Sequence, residues 1–248
     1  MKPKVICHVM ASVDGHLQVE RWTAPHPVDS RSDVMKAYPE IGRSLHTDAW
    51  TFGRNTVREI FTDRTDIFPL DSKDGVKDSP VMQESVYAAE RQSERLFISF
   101  DPESDIIYTS SHLRGDDILA VLSMRTATPR YLSLLRGMGI SYLVVDDFYD
   151  LRSVLERVNE SFGVTSISLQ GGGVLDGSML NGGVVDELSL VVYPGLDGSK
   201  DSVSIFDGLS RQTLDRTSLE LIDAKPQPHG SVWLHYRVHV KGPGQARK

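Results

Sequence analysis

Short apolar runs rich in β-branched residues alternate along this chain with stretches whose apolar positions recur at helical spacing. Residues 5–10 (VICHVM) read as a first strand, 49–52 as a short buried strand and 96–100 as another. Between the first two, residues 33–45 carry Val34, Ala37, Tyr38, Ile41 and Leu45 close to a helical repeat. A buried strand follows at 117–123 and then a helix over 129–138, with Thr128 as N-cap, Pro129 at its first position and Gly139 as its stop. Residues 142–145 are a strand. Residues 151–162 are a helix with Leu151, Val154, Leu155 and Val158 on one face, ended by Gly163. A strand over 165–169 runs into Gly171, Gly172 and Gly173.

Strands alternating with helices predict βαβ units and a parallel sheet. The end of the chain changes character: 187–193, 218–222 and 232–240 (VWLHYRVHV) read as strands with no obvious helix between them, which adds antiparallel strands at one edge. The expected fold is therefore α/β, a mixed and mostly parallel central sheet flanked by helices. Residues 61–95 are polar and irregular, a surface excursion with one short helix near 86–91. The tail 242–248 is expected to fray. Nothing marks a linker, so residues 1–248 are expected to form a single domain.

Composition changes this picture little. The 248 residues are 40% hydrophobic and 25% charged, ordinary values for a chain with a sizeable core. Lys plus Arg is 27 against 34 for Asp plus Glu, a net charge of -7 that argues against a nucleic-acid partner. The single cysteine, Cys7, excludes an internal disulfide and reads as a buried small hydrophobe. No run reaches the roughly 18 apolar residues of a membrane span, and a cytoplasmic protein is expected.

Three motifs carry candidate chemistry, each at the carboxyl end of an expected strand. In Ser168-Leu169-Gln170-Gly171-Gly172-Gly173-Val174-Leu175, glycines follow a strand and open a helix. Backbone N–H groups there either face an anion, helped by the helix dipole, or form a structural tight turn. In Phe52-Gly53-Arg54-Asn55-Thr56-Val57, Arg54 and Thr56 either donate to phosphate oxygens or sit at a capped helix start with a solvated arginine. In Ala11-Ser12-Val13-Asp14-Gly15-His16, Asp14-Gly15 either marks no more than a turn or places a carboxylate where open α/β sheets bind ligands.

Together, ASVDGHL (11–17), TFGRNTV (51–57) and LQGGGVLDGSMLNGGVVDELSLVVYPGLDG (169–198) resemble the dihydrofolate-reductase-like fold. The likeness is to the pyrimidine reductases of riboflavin biosynthesis, the C-terminal half of bifunctional deaminase–reductases, and covers roughly residues 4 to 240. The resemblance implies NADPH as hydride donor, held by Gly53, Thr56, Gly171, Gly172, Gly173, Val174 and Leu175. Ser123 and Arg125 lie where related reductases hold the adenosine end. Arg125 reads either as a partner for the 2′-phosphate or as a solvated loop arginine. The implied reaction opens and reduces the ribose of a ribosylaminopyrimidine 5′-phosphate, with no metal. Ser12 and Gln170 would contact substrate, and Asp14, His8 and Glu59 are the catalytic candidates. A homodimer is implied, with the strands of the C-terminal part as its surface.

Three positions depart from the family pattern. His8 replaces a lysine, Glu59 stands one place early for an aspartate, and Gln170 replaces a glutamate. They keep open a reductase of a different heterocycle, such as a pterin, folate or specialised metabolite, and a catalytically silent nucleotide-binding relative. The deaminase half is absent, because its Pro-Cys-x-x-Cys signature needs two cysteines. His235 and His239, about 13 Å apart on one strand face, are too distant to share a metal. Trp22 and residues 25–27 read either as a lid or as an ordinary surface loop.

Overall fold

The computed structural model describes residues 1–61 and 79–241. In chain order the elements are β1 (Lys4–Ser12), α1 (Arg31–Ser44), β2 (Ala49–Thr51), α2 (Arg54–Phe61), β3 (Ser85–Tyr87), β4 (Leu96–Asp101), β5 (His112–Leu113) and β6 (Asp116–Ser123). Then follow α3 (Pro129–Gly137), β7 (Ser141–Val145), α4 (Leu151–Phe162), β8 (Ser166–Leu169), α5 (Gly173–Asn181), β9 (Glu187–Tyr193), α6 (Arg211–Arg216), β10 (Thr217–Pro226) and β11 (Val232–Val240). The fold is mixed α/β with mostly parallel strands and helices packed on them. The core strands are wholly buried runs, which is why they read as continuous apolar stretches rather than alternating ones.

Contacts divide the chain into two compact units: Met1–Pro3 with Asp48–Thr165, and Lys4–Thr47 with Ser166–Lys248. Because their segments interleave along the sequence, no continuous stretch separates them and no linker composition marks a boundary.

In the first unit the strands run β2-β4-β6-β7-β3. β2, β4, β6 and β7 are parallel neighbours, and β3 closes the row antiparallel to β7. Trp50, Phe97, Ile118, Leu135 and Tyr142 lie in one buried cluster. The Thr128 hydroxyl accepts the N–H of Tyr131 at the start of α3, and Asp150 accepts the N–H of Ser153 at the start of α4, the caps that end the preceding loops. The short helix expected near 86–91 is not formed. Val86 and Tyr87 instead pair with Leu143 and Tyr142, and the two tyrosine rings lie 5.6 Å apart. Cross-strand packing of a β-branched and an aromatic residue outweighs the local pattern. Residues 62–78 of the excursion and the tail 242–248 lie outside the described residues.

In the second unit the order is β10-β11-β9-β1-β8. β1 lies parallel between β8 and β9, and β11 and β10 add antiparallel pairs. This is the antiparallel addition expected for the end of the chain, with one unexpected helix, α6, capped by the Ser210 hydroxyl on the N–H of Thr213. Helix α1 lays Val34, Ala37 and Ile41 against Met10 and Val191. Trp22 is 3% exposed and packs on Tyr193 with ring centres 4.8 Å apart, so it belongs to the core and not to a lid.

Candidate functional site

The second unit holds two of the three motifs. After β1 the Ser12 hydroxyl donates to Asp14 Oδ1 at 2.6 Å and accepts the N–H of His16 at 3.1 Å. Both carboxylate oxygens of Asp14 also accept N–H groups from a distant loop, Asp197 at 3.0 Å and Gly198 at 2.7 Å. The Ser12 hydroxyl, with these two N–H groups, holds the Asp14 carboxyl well below the usual carboxylate range. Asp14 is therefore an ionised acceptor at neutral pH and not a proton donor.

The glycine run after β8 is built for two separate reasons. Gly171 and Gly172 have φ of +94° and +67°, a backbone that side chains disfavour, and Gly172 caps the start of α5. Gly173 and Gly177 are small because the chain crosses them. A Cβ at Gly173 would lie 2.2 Å from the carbonyl oxygen of Ser204, and one at Gly177 would lie 1.8 Å from that of Asp207. Asp207 N–H donates to the Gly173 carbonyl at 2.9 Å, and its side chain accepts the N–H and hydroxyl of Ser204. The same loop pairs Val203 with Leu17 and Ile205 with Gly15. One segment, 197–207, thus ties the Asp14 turn to the glycine turn. Val174 is 69% exposed at the first turn of α5. Leu175 is half-buried, and the Gln170 amide donates to the Ser168 hydroxyl at 3.3 Å.

His8 is packed into the core. It is fully buried in β1 and stacked on Tyr38, ring centres 4.4 Å apart. Its Nε2 lies 2.9 Å from the Tyr38 carbonyl, which can only accept, so Nε2 carries the proton and donates. Nδ1 then accepts from the Ser189 hydroxyl at 3.1 Å, and that oxygen accepts the Trp233 indole N–H at 2.9 Å. Burial lowers the imidazole to about 4. His8 is a neutral, fully bonded core group.

In the first unit, Gly53 is buried and Thr56 lies half-buried in the first turn of α2. Arg54 is not a solvated side chain. Its guanidinium pairs with Asp105 at 2.5 Å and lies 3.6 Å from Asp101. Asp101 is fully buried, which raises its carboxyl, while Ile106 N–H and the Tyr131 hydroxyl donate to it. Beyond β6, the Ser123 hydroxyl accepts the N–H of Arg125 at 3.2 Å, and the Arg125 side chain is exposed. Glu59 falls in α2, and its side chain lies outside the described residues.

Among the described residues no group of three or more His, Cys, Asp or Glu is arranged to hold a metal. His235 pairs with Glu187 and His239 with Glu220. No described helix is long and apolar enough to cross a membrane.

Sequence reasoning passed over two residues here. Asp101 lies one residue beyond the strand expected over 96–100 and was not singled out. Asp176, inside the 169–198 block, is buried beneath the glycine turn.

The family model of the RibD C-terminal domain matches residues 3–232. The chain belongs to the RibD C-terminal domain family. The resemblance read from the three motifs is borne out. Among curated relatives of this RibD-type chain, the 2,5-diamino-6-ribosylamino-4(3H)-pyrimidinone 5′-phosphate reductase of Methanothermobacter thermautotrophicus is 26% identical over 212 residues, 84% of this chain and 85% of that one. Of solved structures, a pyrimidine reductase-like protein of Corynebacterium diphtheriae aligns with TM-score 0.59 and 14% identity, covering 96% of this chain and 93% of that one. The riboflavin biosynthesis reductase Rib7 of Saccharomyces cerevisiae aligns with TM-score 0.56 and 14% identity, covering 96% and 90%. The expected fold class is that of these structures.

Proposed function

We propose that this RibD-type chain is an NADPH-dependent reductase of riboflavin biosynthesis acting on a ribosylaminopyrimidine 5′-phosphate. The observation that carries the reading is the family match over 3–232, which spans all three motifs at once. When bound, the dinucleotide supplies a hydride to the anomeric carbon of the opened ribose, leaving a ribityl chain.

The residues fit such a group. Gly171 and Gly172 adopt a backbone that brings N–H groups to the start of α5, where helix dipole and unpaired donors favour phosphate. Gly173, Val174 and Leu175 continue that turn. Gly53 and Thr56 lie at the start of α2, and the exposed guanidinium of Arg125, with Ser123 behind it, suits the adenosine 2′-phosphate. Asp14, ionised and braced by Ser12, accepts hydrogen bonds from substrate hydroxyl or amino groups. Gln170 is a second polar contact. His8 acts through the packing of β1 and not on the substrate. Glu59 is retained as the remaining acid for proton delivery.

We also assign the protein to the cytoplasm and to a homodimer. β10 exposes Leu219, Leu221 and Ile222 on an otherwise solvent-facing edge, apolar surface that self-association would cover.

The test is to titrate purified protein with NADPH and NADH by thermal shift, then follow NADPH oxidation with the phosphorylated pyrimidine. NADPH is expected to raise the melting temperature, and Gly172→Asp to abolish the rise. Failure of both nucleotides to stabilise the protein would remove the enzyme reading.

A further inference from the structure

Asp176 occupies the first turn of α5 and is completely buried. Neither carboxyl oxygen has a hydrogen-bond partner of good geometry. The polar groups facing it are the Cys7 thiol from β1 and the N–H of Gly171. A Cβ on Gly171 would sit 3.9 Å from Asp176 Oδ2, so the carboxyl lies directly under the turn. From the loop packed on α5, the other titratable neighbour of the turn is the Asp207 carboxylate, held at Gly173 by Ser204. Among the described residues no basic side chain pairs with Asp176.

An acid in the first turn of a helix ordinarily serves as an anion that satisfies the dipole. Asp176 cannot do so in this state, because burial without a cation holds its carboxyl well above the usual range. The same burial, with Asp176 beside it, pushes up the Cys7 thiol. The N-terminal field of α5 is then shared between the Asp207 side chain at Gly173 and an anion from outside. An ionised Asp176 would compete for it in a dry site, where like charges repel strongly.

We propose that Asp176 is a positioning residue that, in its neutral form, reserves the Gly171–Gly173 turn for a dinucleotide phosphate and, once ionised, expels it. This rests on the reading that the turn binds NADPH. Phosphate and carboxylate exclude one another, so binding must draw a proton onto Asp176 wherever the free carboxyl is ionised.

The experiment measures the NADPH dissociation constant and the proton uptake on binding, by calorimetry in buffers of different ionisation enthalpy, from pH 7 to 9. Over that range the phosphate charge is already complete. Wild type is expected to weaken as rising pH ionises the free carboxyl, by up to about tenfold per unit, and to take up a proton on binding there. Asp176→Asn, close in shape, is expected to bind with a flat profile and no uptake. A decline shared by wild type and Asp176→Asn, or a flat wild-type profile without uptake, overturns the proposal and leaves the cofactor reading standing. Absence of NADPH binding by wild type at every pH overturns both. The uptake is read on wild type itself, so it decides the matter even where Asp176→Asn folds poorly.

Discussion

The chain contains two strand-to-helix turns of the same pattern, one after β2 and one after β8, and they are finished in opposite ways. At the first, the arginine that opens α2 is turned onto the chain's own carboxylates, Asp105 and Asp101. At the second, α5 opens with glycines of positive φ, an exposed valine and a buried acid that no basic side chain among the described residues pairs with. The first turn carries a cation that is already engaged, and the second meets acids, Asp176 beneath it and Asp207 from the crossing loop. A strand, a glycine and a helix therefore do not reveal whether an anion site is open. That is decided by carboxylates and carbonyls arriving from elsewhere in the chain.

The sharpest way to break the contrast is to dislodge the segment that fixes the second turn. Gly177→Ala would place a Cβ 1.8 Å from the Asp207 carbonyl oxygen, a backbone atom with no rotamer to yield. The expected loss is about 3 kcal/mol or more in urea denaturation. Val174→Ala, on the exposed side of the same turn, is expected to stay within about 0.5 kcal/mol. Equal effects at the two positions would mean that 203–208 does not shape the turn.

At the first turn, Arg54→Ala leaves Asp101 buried without its cation and is expected to cost about 2–3 kcal/mol, below a wholly buried pair because Arg54 is partly exposed. Adding Asp101→Asn is expected to restore part of that loss, since the stranded charge is removed. A double variant that is merely the sum of two losses would show that Arg54 and Asp101 are not coupled, and Arg54 would again be available to a phosphate.

What could be read in advance follows from range. Helix α4 and strands β9 and β11 rest on local periodicity, and their bounds match the expected ones. The glycine run was visible as a turn, but the reason for Gly173 lies at Ser204, 31 residues on. Arg54 was weighed as a phosphate donor because nothing nearby in sequence announces Asp101 and Asp105. The signal was an acid ending the wholly buried strand LFISFD. Cys7 was correctly read as a buried hydrophobe, while the acid facing it belongs to another motif. His8 drew a catalytic reading from its place in the family pattern, and only tertiary partners show both its nitrogens engaged.

Acid separates the two regions by a smaller margin. Near the first turn the buried group is Asp101, whose raised carboxyl is neutralised by protons at no cost to its burial. Beside the second turn, β1 carries His8, lowered from 6.5 to about 4. A base that is harder to protonate in the folded chain gives stability held in full above 6.5 and lost as pH falls through about 4. The loss expected by pH 5 is about 2 kcal/mol. Asp14, held far below the usual range, adds its own loss only at lower pH. Urea midpoints between pH 7.5 and 5 should therefore fall in wild type and fall much less in His8→Phe. That variant keeps the stack on Tyr38 but starts about 1–2 kcal/mol lower, with the Ser189 hydroxyl and Tyr38 carbonyl each short of a partner. An acid slope that persists unchanged in His8→Phe would assign the loss to carboxylates and free His8 for a chemical role.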